Sequence, residues 1–214
     1  KKLGGRRSVG LDRGWVVERI GAKKQRIVQL KDFSLPGAHQ QQNLLAAVSI
    51  ARTLDIAPAD IVRGVRTFRG VAHRQELIRT WRGHAFVNDT AATSPEGALA
   101  ALDVFPQGFF IMGGTDKQLD FRALAQYLIS HHVPLVFLPG SATEKLLGNL
   151  RRLGWKQTPH IADSMDSAVR EAIRRAKPRQ PIILSPGAAS FGLFLHEFDR
   201  GEKFVRAVKR LGSV

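Results

Sequence analysis

The sequence predicts an α/β fold with a mostly parallel sheet, and three features of the chain support this. Short apolar runs occur at GFFIMGG (108–114), PLVFLPG (134–140) and PIILSPG (181–187), as is typical of parallel strands buried on both faces. Amphipathic helical patterns separate these runs. Such alternation is the pattern of strand–helix–strand units in a doubly wound sheet.

The first 68 residues have a different organisation. Residues 14–20 (GWVVERI) and 25–33 (QRIVQLKDF) read as two strands of a hairpin that GAKK closes. Two helices are predicted after them, over 40–54 and over 58–67. The segment 68–76 (FRGVAHRQE) has no clear period, and we interpret it as a connection between two domains.

From about residue 71 to residue 214 the chain reads as a Rossmann-like domain in which strands and helices alternate. The predicted strands are 76–81, 84–88, 108–114, 134–140 and 181–187. The predicted helices are 95–104, 121–131, 142–152, 164–177 and a helical tail to about 211. Ser94 is expected to cap the first of these helices, and Asp163 or Ser164 the fourth.

The formal net charge of +15 raises the question of nucleic-acid binding. Residues 1–31 hold ten Lys and Arg against two acids, a net +8 (10 − 2), but no aromatic-rich RNA-binding strand accompanies them. We therefore do not predict nucleic acid as a partner. Two alternatives remain open: a surface that attracts small anionic ligands, and the composition of an arginine-rich proteome.

The composition also bears on the compartment of the protein. No apolar run approaches the roughly 20 residues that span a bilayer, and Lys1-Lys2 does not lead into a signal-peptide pattern. Cysteine is absent, which excludes disulfides and thiolate metal sites within the sequence. We expect a cytoplasmic protein without a membrane partner.

Polar or small residues follow three of the predicted strands, where the ligands of open α/β sheets bind. NDTAATSP places Asp89 and Thr90 at a strand end. MGGTDKQLDF supplies two glycines, which permit a close backbone approach, and the cation Lys117. LSPGAASFGLF holds Ser185 and Ser190, and the free amides at the start of the helix that follows could bind a carboxylate.

Each loop also has a simpler interpretation. Asp89 and Thr90 could only shape a turn, Lys117 could be a solvated lysine paired with Asp120, and Ser190 could only cap a helix. No stretch fits the phosphate-binding pattern G-x-x-x-x-G-K-S/T, and no pair of histidines has a metal-ligand spacing. We predict no metal site within this sequence.

Five segments together, in this order, resemble the carboxyl-terminal half of the Mur ligase family: LPGAHQQQNLLAA, FRGVAHRQE, NDTAATSP, GGTDKQLDF and LSPGAASFGLFLHEFDRGEKF. The resemblance implies that residues 1–68 are the end of a central α/β ATP-binding domain and that residues 69–214 are a Rossmann-like amino-acid-binding domain. It implies that the P-loop and the UDP-binding domain lie upstream. We accordingly expect this chain alone not to hydrolyse ATP.

The resemblance also implies a reaction of peptidoglycan precursor synthesis, in the branch of the family that adds D-glutamate. ATP phosphorylates the carboxylate of UDP-N-acetylmuramoyl-L-alanine, and the amine of D-glutamate then attacks the acyl phosphate. The implied cofactors are ATP and Mg²⁺, with the metal ligands mainly upstream, and the implied full-length enzyme is a monomer.

Site residues are implied by the same motifs. Those assigned to the nucleotide are Asn43, Gln40, Arg74 and Asp89. Those assigned to D-glutamate are Thr93, Lys117, Ser190 and Phe191, and Lys117 also has a catalytic role.

The sequence departs from the family pattern at three places. Ala91 stands where many members have a lysine, His39-Gln40 replaces the usual His-Asn pair, and Glu197-Phe198 reverses the usual order. Two alternatives therefore stay open. One is a folylpolyglutamate-type relative that adds L-glutamate to another acceptor, and the other is a non-enzymatic basic binding domain.

Overall fold

The computed structural model describes residues 7–212, which form two compact units, the first ending at Gly70 and the second beginning at Val71. In the first unit an antiparallel sheet has the strand order β1–β2–β3. Its strands are β1 (Arg7–Asp12), β2 (Trp15–Ile20) and β3 (Lys23–Gln29). A 3-10 turn (Leu30–Asp32) and helices α1 (Ala38–Thr53) and α2 (Pro58–Thr67) follow.

The hairpin of β2 and β3 was expected, but β1 was missed. Strand β1 pairs along its whole length with β2, and β3 ends at Gln29 rather than at residue 33. Next to β1 lies a buried charge, Glu18, whose carboxylate is bound by Arg7 (3.0 Å) and Arg52 (2.9 Å). Because the partners of this charge come from β1 and α1, 11 and 34 residues away in the chain, local patterns did not indicate it.

The core of the first unit is small. Apolar side chains of β2 and β3 meet one face each of α1 and α2. The buried members are Val16, Ile27, Val28, Leu44, Val48, Ile61 and Val65.

The second unit contains a five-stranded sheet with the order β4–β5–β8–β6–β7. Its strands are β4 (Glu76–Trp81), β5 (His84–Asn88), β6 (Phe109–Gly113), β7 (Leu135–Leu138) and β8 (Ile182–Leu184). Its helices are α3 (Pro95–Val104), α4 (Arg122–Ser130), α5 (Ser141–Arg152), α6 (Met165–Arg175) and α7 (Glu197–Lys209). Only β4 pairs antiparallel with its neighbour, so the predicted mostly parallel α/β sheet is confirmed.

Both faces of this sheet are covered by helices. Phe110, Met112 and Ile183 pack with side chains of α3, α4 and α5, whereas the alternate residues Phe109 and Ile111 pack with α6 and α7. Successive side chains of a strand point to opposite faces, so a strand covered on both sides needs apolar residues throughout. This explains the continuous apolar runs in the sequence.

The strand order brings three loops to one edge. Strand β8 lies between β5 and β6, and all three are parallel, so their carboxyl ends lie side by side. The amide of Asp89 donates to the carbonyl of Leu184 (2.8 Å), and the amide of Gly113 donates to the carbonyl of Pro186 (2.8 Å). The loops after these strands therefore begin as immediate neighbours.

One glycine in this unit has no structural need to be glycine. Gly148 lies within α5, and a Cβ atom built there meets nothing within 4 Å. We expect Gly148→Ala to raise the free energy of unfolding by about 0.5–1 kcal/mol, because alanine loses less backbone entropy in a helix. Urea denaturation measures the free energy of unfolding.

In the contrasting variant Gly114→Ala, the Cβ would lie 2.2 Å from the carbonyl oxygen of Ala189, so stability should fall. Unchanged or lower stability of Gly148→Ala would contradict the prediction.

Candidate functional site

The three loops predicted to carry ligands are hydrogen-bonded to one another. The amide of Gly187, after β8, donates to the carbonyl of Ala92, after β5 (2.9 Å). Thr115, after β6, and Ala189 exchange two backbone bonds of 2.9 and 3.1 Å. The β8 loop thus joins the other two, and the loops form one surface at the carboxyl edge.

Glycines of the β6 loop and of the loop after β7 serve contact between backbones of the protein itself. A Cβ on Gly114 would lie 2.2 Å from the carbonyl oxygen of Ala189, and one on Gly140 would lie 2.2 Å from the carbonyl oxygen of Gly114. Both residues also have positive φ, 139° and 142°, which other residues rarely adopt. The close approach expected at Gly113-Gly114 is therefore an approach to neighbouring loops.

Asp89 is a buried carboxylic acid directly after β5, with 6% of its surface exposed. Its Oδ2 accepts from the hydroxyl of Ser185 (2.8 Å), and its Oδ1 accepts from the amide of Gln75 (3.2 Å). Burial raises the pKa of Asp89 to about 6, although these two bonds and the charge of Arg74 act in the opposite direction. The residue is thus held in place by two elements, which supports more than a turn-shaping role.

Arg74 is presented by a strained segment that packs on the same loop. The two residues beside it, His73 and Gln75, have φ of 67° and 49°, which is uncommon without glycine. The carbonyl of His73 accepts from the amide of Ala91 (3.1 Å), and Gln75 bonds to Asp89. The exposed Arg74 is therefore fixed beside the end of β5 by its neighbours.

A buried arginine that was not predicted from the sequence donates hydrogen bonds to the β5 loop. Arg200, in α7, has 0% of its surface exposed and donates to Thr90 Oγ1 (2.9 Å), the Thr90 carbonyl (2.9 Å) and the Ala188 carbonyl (3.0 Å). Within residues 7–212 no carboxylate lies within 4 Å of it, and burial lowers its pKa to about 10. One signal was available: Arg200 falls on the apolar face of α7, four residues before the buried Phe204.

Asn88 and His73 complete the buried network. The amide nitrogen of Asn88 lies 3.0 Å from His73 Nδ1, which makes Nδ1 the acceptor, and Asn88 Oδ1 accepts from the amide of Thr90 (3.2 Å). Gly201 allows α7 to come this close, since a Cβ there would lie 2.5 Å from His73 Nδ1 and 2.6 Å from a methyl of Thr90. The segment Asn88–Thr90 is therefore held by His73, by the β8 loop through Ser185, and by α7 through Arg200.

Lys117 lies on the same edge with its charge unneutralised by the protein. The predicted alternative, a pair with Asp120, is wrong because Asp120 is bound by Arg122 (2.6 Å). Among residues 7–212 no carboxylate lies within 4 Å of the Lys117 ammonium, which is 5.9 Å from the centre of the Phe191 ring. The exposed Lys117 and Phe191 thus form a contact between the β6 and β8 loops that leaves the cation open to an anion.

Ser190 is buried, but it does not cap a helix. Helix α7 begins at Glu197, and its cap is His196, whose Nδ1 accepts from the amide of Asp199 (3.1 Å). The N-cap interpretation of Ser190 is therefore wrong, and a six-residue segment separates it from α7. The expected caps of α3 and α6 are present, since Ser94 accepts from Gly97 and Ser164 from Ser167.

Of the remaining predicted residues, Thr93 lies in the second unit, whereas Asn43 and Gln40 lie in the first. Thr93 is half-buried in the β5 loop, next to the Ala92 carbonyl that Gly187 binds. Asn43 and Gln40 lie one turn apart on α1 in the first unit, where the Asn43 amide donates to Gln40 Oε1 (3.3 Å). The structure brings these two residues together, and it brings together the loop residues of the second unit.

The described residues contain neither a cluster of metal-binding side chains nor a membrane-spanning helix. Between residues 7 and 212, no three His, Asp or Glu side chains form a group that could hold a metal ion. No helix in the same range is both long enough and apolar enough to cross a bilayer.

A Rossmann-like unit with interlocked polar loops at its carboxyl edge defines an α/β protein of the doubly wound class, whose loops lie where such sheets bind their ligands. The chain belongs to the Mur ligase family. It is 43% identical to the UDP-N-acetylmuramoylalanine–D-glutamate ligase of Roseiflexus sp. (strain RS-1) over 184 residues, which are 83% of this chain and 39% of that protein. It is 38% identical to the ligase of the same name from Nostoc sp. (strain PCC 7120) over 95% of this chain and 45% of that protein.

The chain therefore spans less than half the length of these curated relatives. Among solved structures, the MurF ligase of Thermotoga maritima in complex with ADP has a similar fold, with a TM-score of 0.58 and 16% identity over 96% of this chain and 46% of that one. No family model matches the chain.

Proposed function

We propose that this chain carries the amino-acid-binding part of an ATP-dependent amide ligase of peptidoglycan precursor synthesis, which adds D-glutamate to UDP-N-acetylmuramoyl-L-alanine in the cytoplasm. One observation carries the proposal: the loops after β5, β6 and β8 interlock at one edge and present Asp89, Lys117 and Ser190 there. The names of the related proteins support the choice of substrates.

The proposal divides the chain by role. Residues 1–68 form the end of the ATP-binding domain, with Asn43 and Gln40 facing the base of the nucleotide. Residues 69–214 form the amino-acid-binding domain. The connection before His73 is the hinge in this proposal, and Arg74, fixed beside the end of β5, would report nucleotide contact to the amino-acid domain.

D-glutamate binds, in this proposal, between the β6 and β8 loops. Lys117 supplies the ammonium for a carboxylate of the amino acid, since no carboxylate of residues 7–212 pairs with that charge. Ser190 and Thr93 supply hydroxyls, and Phe191 packs against the ligand and the lysine stem. The same ammonium stabilises the charge that grows on the departing phosphate, which is the catalytic role of Lys117.

The nucleotide side of the site is formed by Arg74 and Asp89. The guanidinium of Arg74 is exposed and suits a phosphate, whereas the two oxygens of Asp89 accept hydrogen bonds and suit a ribose hydroxyl. The buried network of Thr90 and Arg200 fixes the residue that follows Asp89 at the end of β5. These residues position the nucleotide and do not themselves form bonds to it.

ATP, accompanied by Mg²⁺, supplies the phosphoryl group that activates the acceptor carboxylate. The amine of D-glutamate forms the new bond to the acyl carbon, the C–O bond to phosphate breaks, and the amine proton leaves to solvent. The residues of this chain contribute by holding the amine donor and neutralising charge. The Mg²⁺ ligands belong mainly to the part of the relatives that this chain does not cover.

The test joins residues 1–214 to the amino-terminal part of the Nostoc relative, because the sequence contains no P-loop of its own. Phosphate release is measured with ATP, Mg²⁺ and UDP-N-acetylmuramoyl-L-alanine. We expect D-glutamate to stimulate release about tenfold or more over L-glutamate. We expect Lys117→Ala to lower it roughly 10–100-fold, because one charge-assisted contact is lost. The exposed Lys156→Ala is the matched control and should retain activity.

Three outcomes would contradict the proposal. Release that depends on L-glutamate would favour a folylpolyglutamate-type ligase. No release with either enantiomer, while the intact Nostoc relative is active, would favour a binding domain without this reaction. ATP-dependent release by residues 1–214 alone, above the level of their Lys117→Ala variant, would show that the upstream part is not required.

A further inference from the structure

A groove whose lining includes none of the predicted site residues runs between α6, α7 and the end of the β8 loop. It has a volume of about 340 Å³ and is bounded by the first turn of α6, by Leu193 and Phe194, and by a basic face of α7. That face consists of Lys203, Arg206 and Arg210. None of these side chains has a role in the proposed ligase site.

The three cations share one side of α7. Their positions are i, i+3 and i+7, which place them on the same face along about 10 Å of helix axis. Apolar contacts do not require them there, since the buried face of α7 is formed by other residues, including Phe204 and Val208. The groove therefore has one wall with three positive charges in a row.

Their donors are only partly used by the protein. Arg206 approaches Asp199 at 3.9 Å, and Arg210 approaches Asp166 at 3.5 Å, so neither distance is that of a strong hydrogen bond. Lys203 pairs with Asp199 at 3.0 Å. Among residues 7–212 the groove thus carries three cations against two carboxylates, a net charge of +1, and most of the guanidinium donors have no acceptor in that part of the chain.

We propose that this groove binds the phosphate or diphosphate group of a small molecule. Two guanidinium groups one turn apart can each present a pair of N–H donors to phosphate oxygens, a geometry that a single lysine lacks. The volume is at the lower end of the range for small-molecule sites. The short row and the net charge of +1 do not suit a nucleic-acid backbone, which needs many phosphate contacts.

The groove is connected to the loop that carries Ser190 and Phe191. The Lys203 ammonium lies 5.1 Å from the centre of the Phe194 ring, and Asp199, the partner of Lys203, accepts from the amide of Leu195 (3.1 Å). An anion that draws Lys203 away from Asp199 alters the acceptor of this amide. The Leu195 amide therefore reports occupation of the groove.

Inorganic pyrophosphate is the test ligand, titrated into the whole chain at constant ionic strength and followed by calorimetry and by amide NMR shifts. We expect saturable binding with a shift of the Leu195 amide. The double variant Arg206→Gln/Arg210→Gln should weaken binding by about tenfold or more, because two charge-assisted contacts are lost. Both arginines are 55–70% exposed, so the fold should be retained, which circular dichroism checks.

The matched control is Arg151→Gln/Arg152→Gln, which removes the same charge from two exposed positions at the end of α5. It should change the dissociation constant by less than about twofold, because distant surface charges are screened by salt. Equal weakening in both double variants, no weakening in the groove variant, or no saturable binding would overturn the proposal. The titration contains neither ATP nor glutamate, so its outcome is independent of the ligase assay.

Discussion

An Arg200→Ala variant is expected to lose about 3–5 kcal/mol of unfolding free energy in the second unit. Three hydrogen bonds from the guanidinium, to two oxygens of Thr90 and to the Ala188 carbonyl, disappear, and each bond from a charged donor contributes about 1.5–3 kcal/mol. Against this, removal of a buried charge is favourable. The displacement of the Arg200 pKa from 12.5 to about 10 corresponds to about 3 kcal/mol of desolvation. The lost bonds and the cavity outweigh that gain.

Urea denaturation followed by circular dichroism measures the loss. The exposed Arg151→Ala removes the same side chain from α5 and should stay within about 0.5 kcal/mol of the parent chain. Arg200→Lys keeps the charge but not the planar set of donors, so its stability should fall between those of the parent chain and Arg200→Ala. If Arg200→Ala were as stable as Arg151→Ala, the buried network would not hold the end of β5.

The fold of the second unit was predictable because its signals are local. A strand covered on both faces needs an unbroken apolar run, and β6, β7 and β8 each have one. The starts of α3 and α6 were predictable because a serine caps each helix. Its hydroxyl accepts from the amide three residues later, as at Ser94 and Ser164. Strand β1, a six-residue run interrupted by glycine and charges, lacked such a signal.

The buried charges were not predictable for the opposite reason. Glu18 is buried because Arg7 and Arg52 reach it from other elements, and Arg200 is buried because Thr90, 110 residues away, accepts its hydrogen bonds. A short stretch of sequence around Glu18 or Arg200 contains none of these partners. Only the assembled fold of each unit brings such groups into contact.

The candidate loops were predicted, but not what each glycine and lysine does in them. Gly114 and Gly140 let two loop backbones touch, a contact that depends on strand order rather than on spacing in the chain. The charge of Lys117 is open because Arg122 and Lys145 take the nearby acids Asp120 and Asp116. Five charged residues can pair in several ways, and the sequence alone does not determine which pairs form.

The stability of the chain should fall, relative to that of Asp89→Asn, as pH rises from about 4 to 7. Burial raises the pKa of Asp89 from 3.8 to about 6, so between these values the native state holds a proton that the unfolded state has lost. Unfolding therefore becomes easier with increasing pH inside this window and is insensitive to Asp89 outside it. The shift corresponds to about 3 kcal/mol between the two ends.

Denaturation of both proteins at each pH isolates this effect, because the other titrating groups are common to both and cancel in the difference. A second variant, Ser185→Ala, removes the hydroxyl that bonds Asp89 Oδ2 and opposes the rise in its pKa. With that bond lost, the upper end of the window should move above pH 6. A difference between the parent chain and Asp89→Asn that stays constant from pH 4 to 7 would mean that Asp89 ionises as freely in the folded chain as in water. The bonds from Ser185 and Gln75, together with the charge of Arg74, would then offset the whole cost of burying the charge, and the predicted rise in the pKa of Asp89 would be wrong.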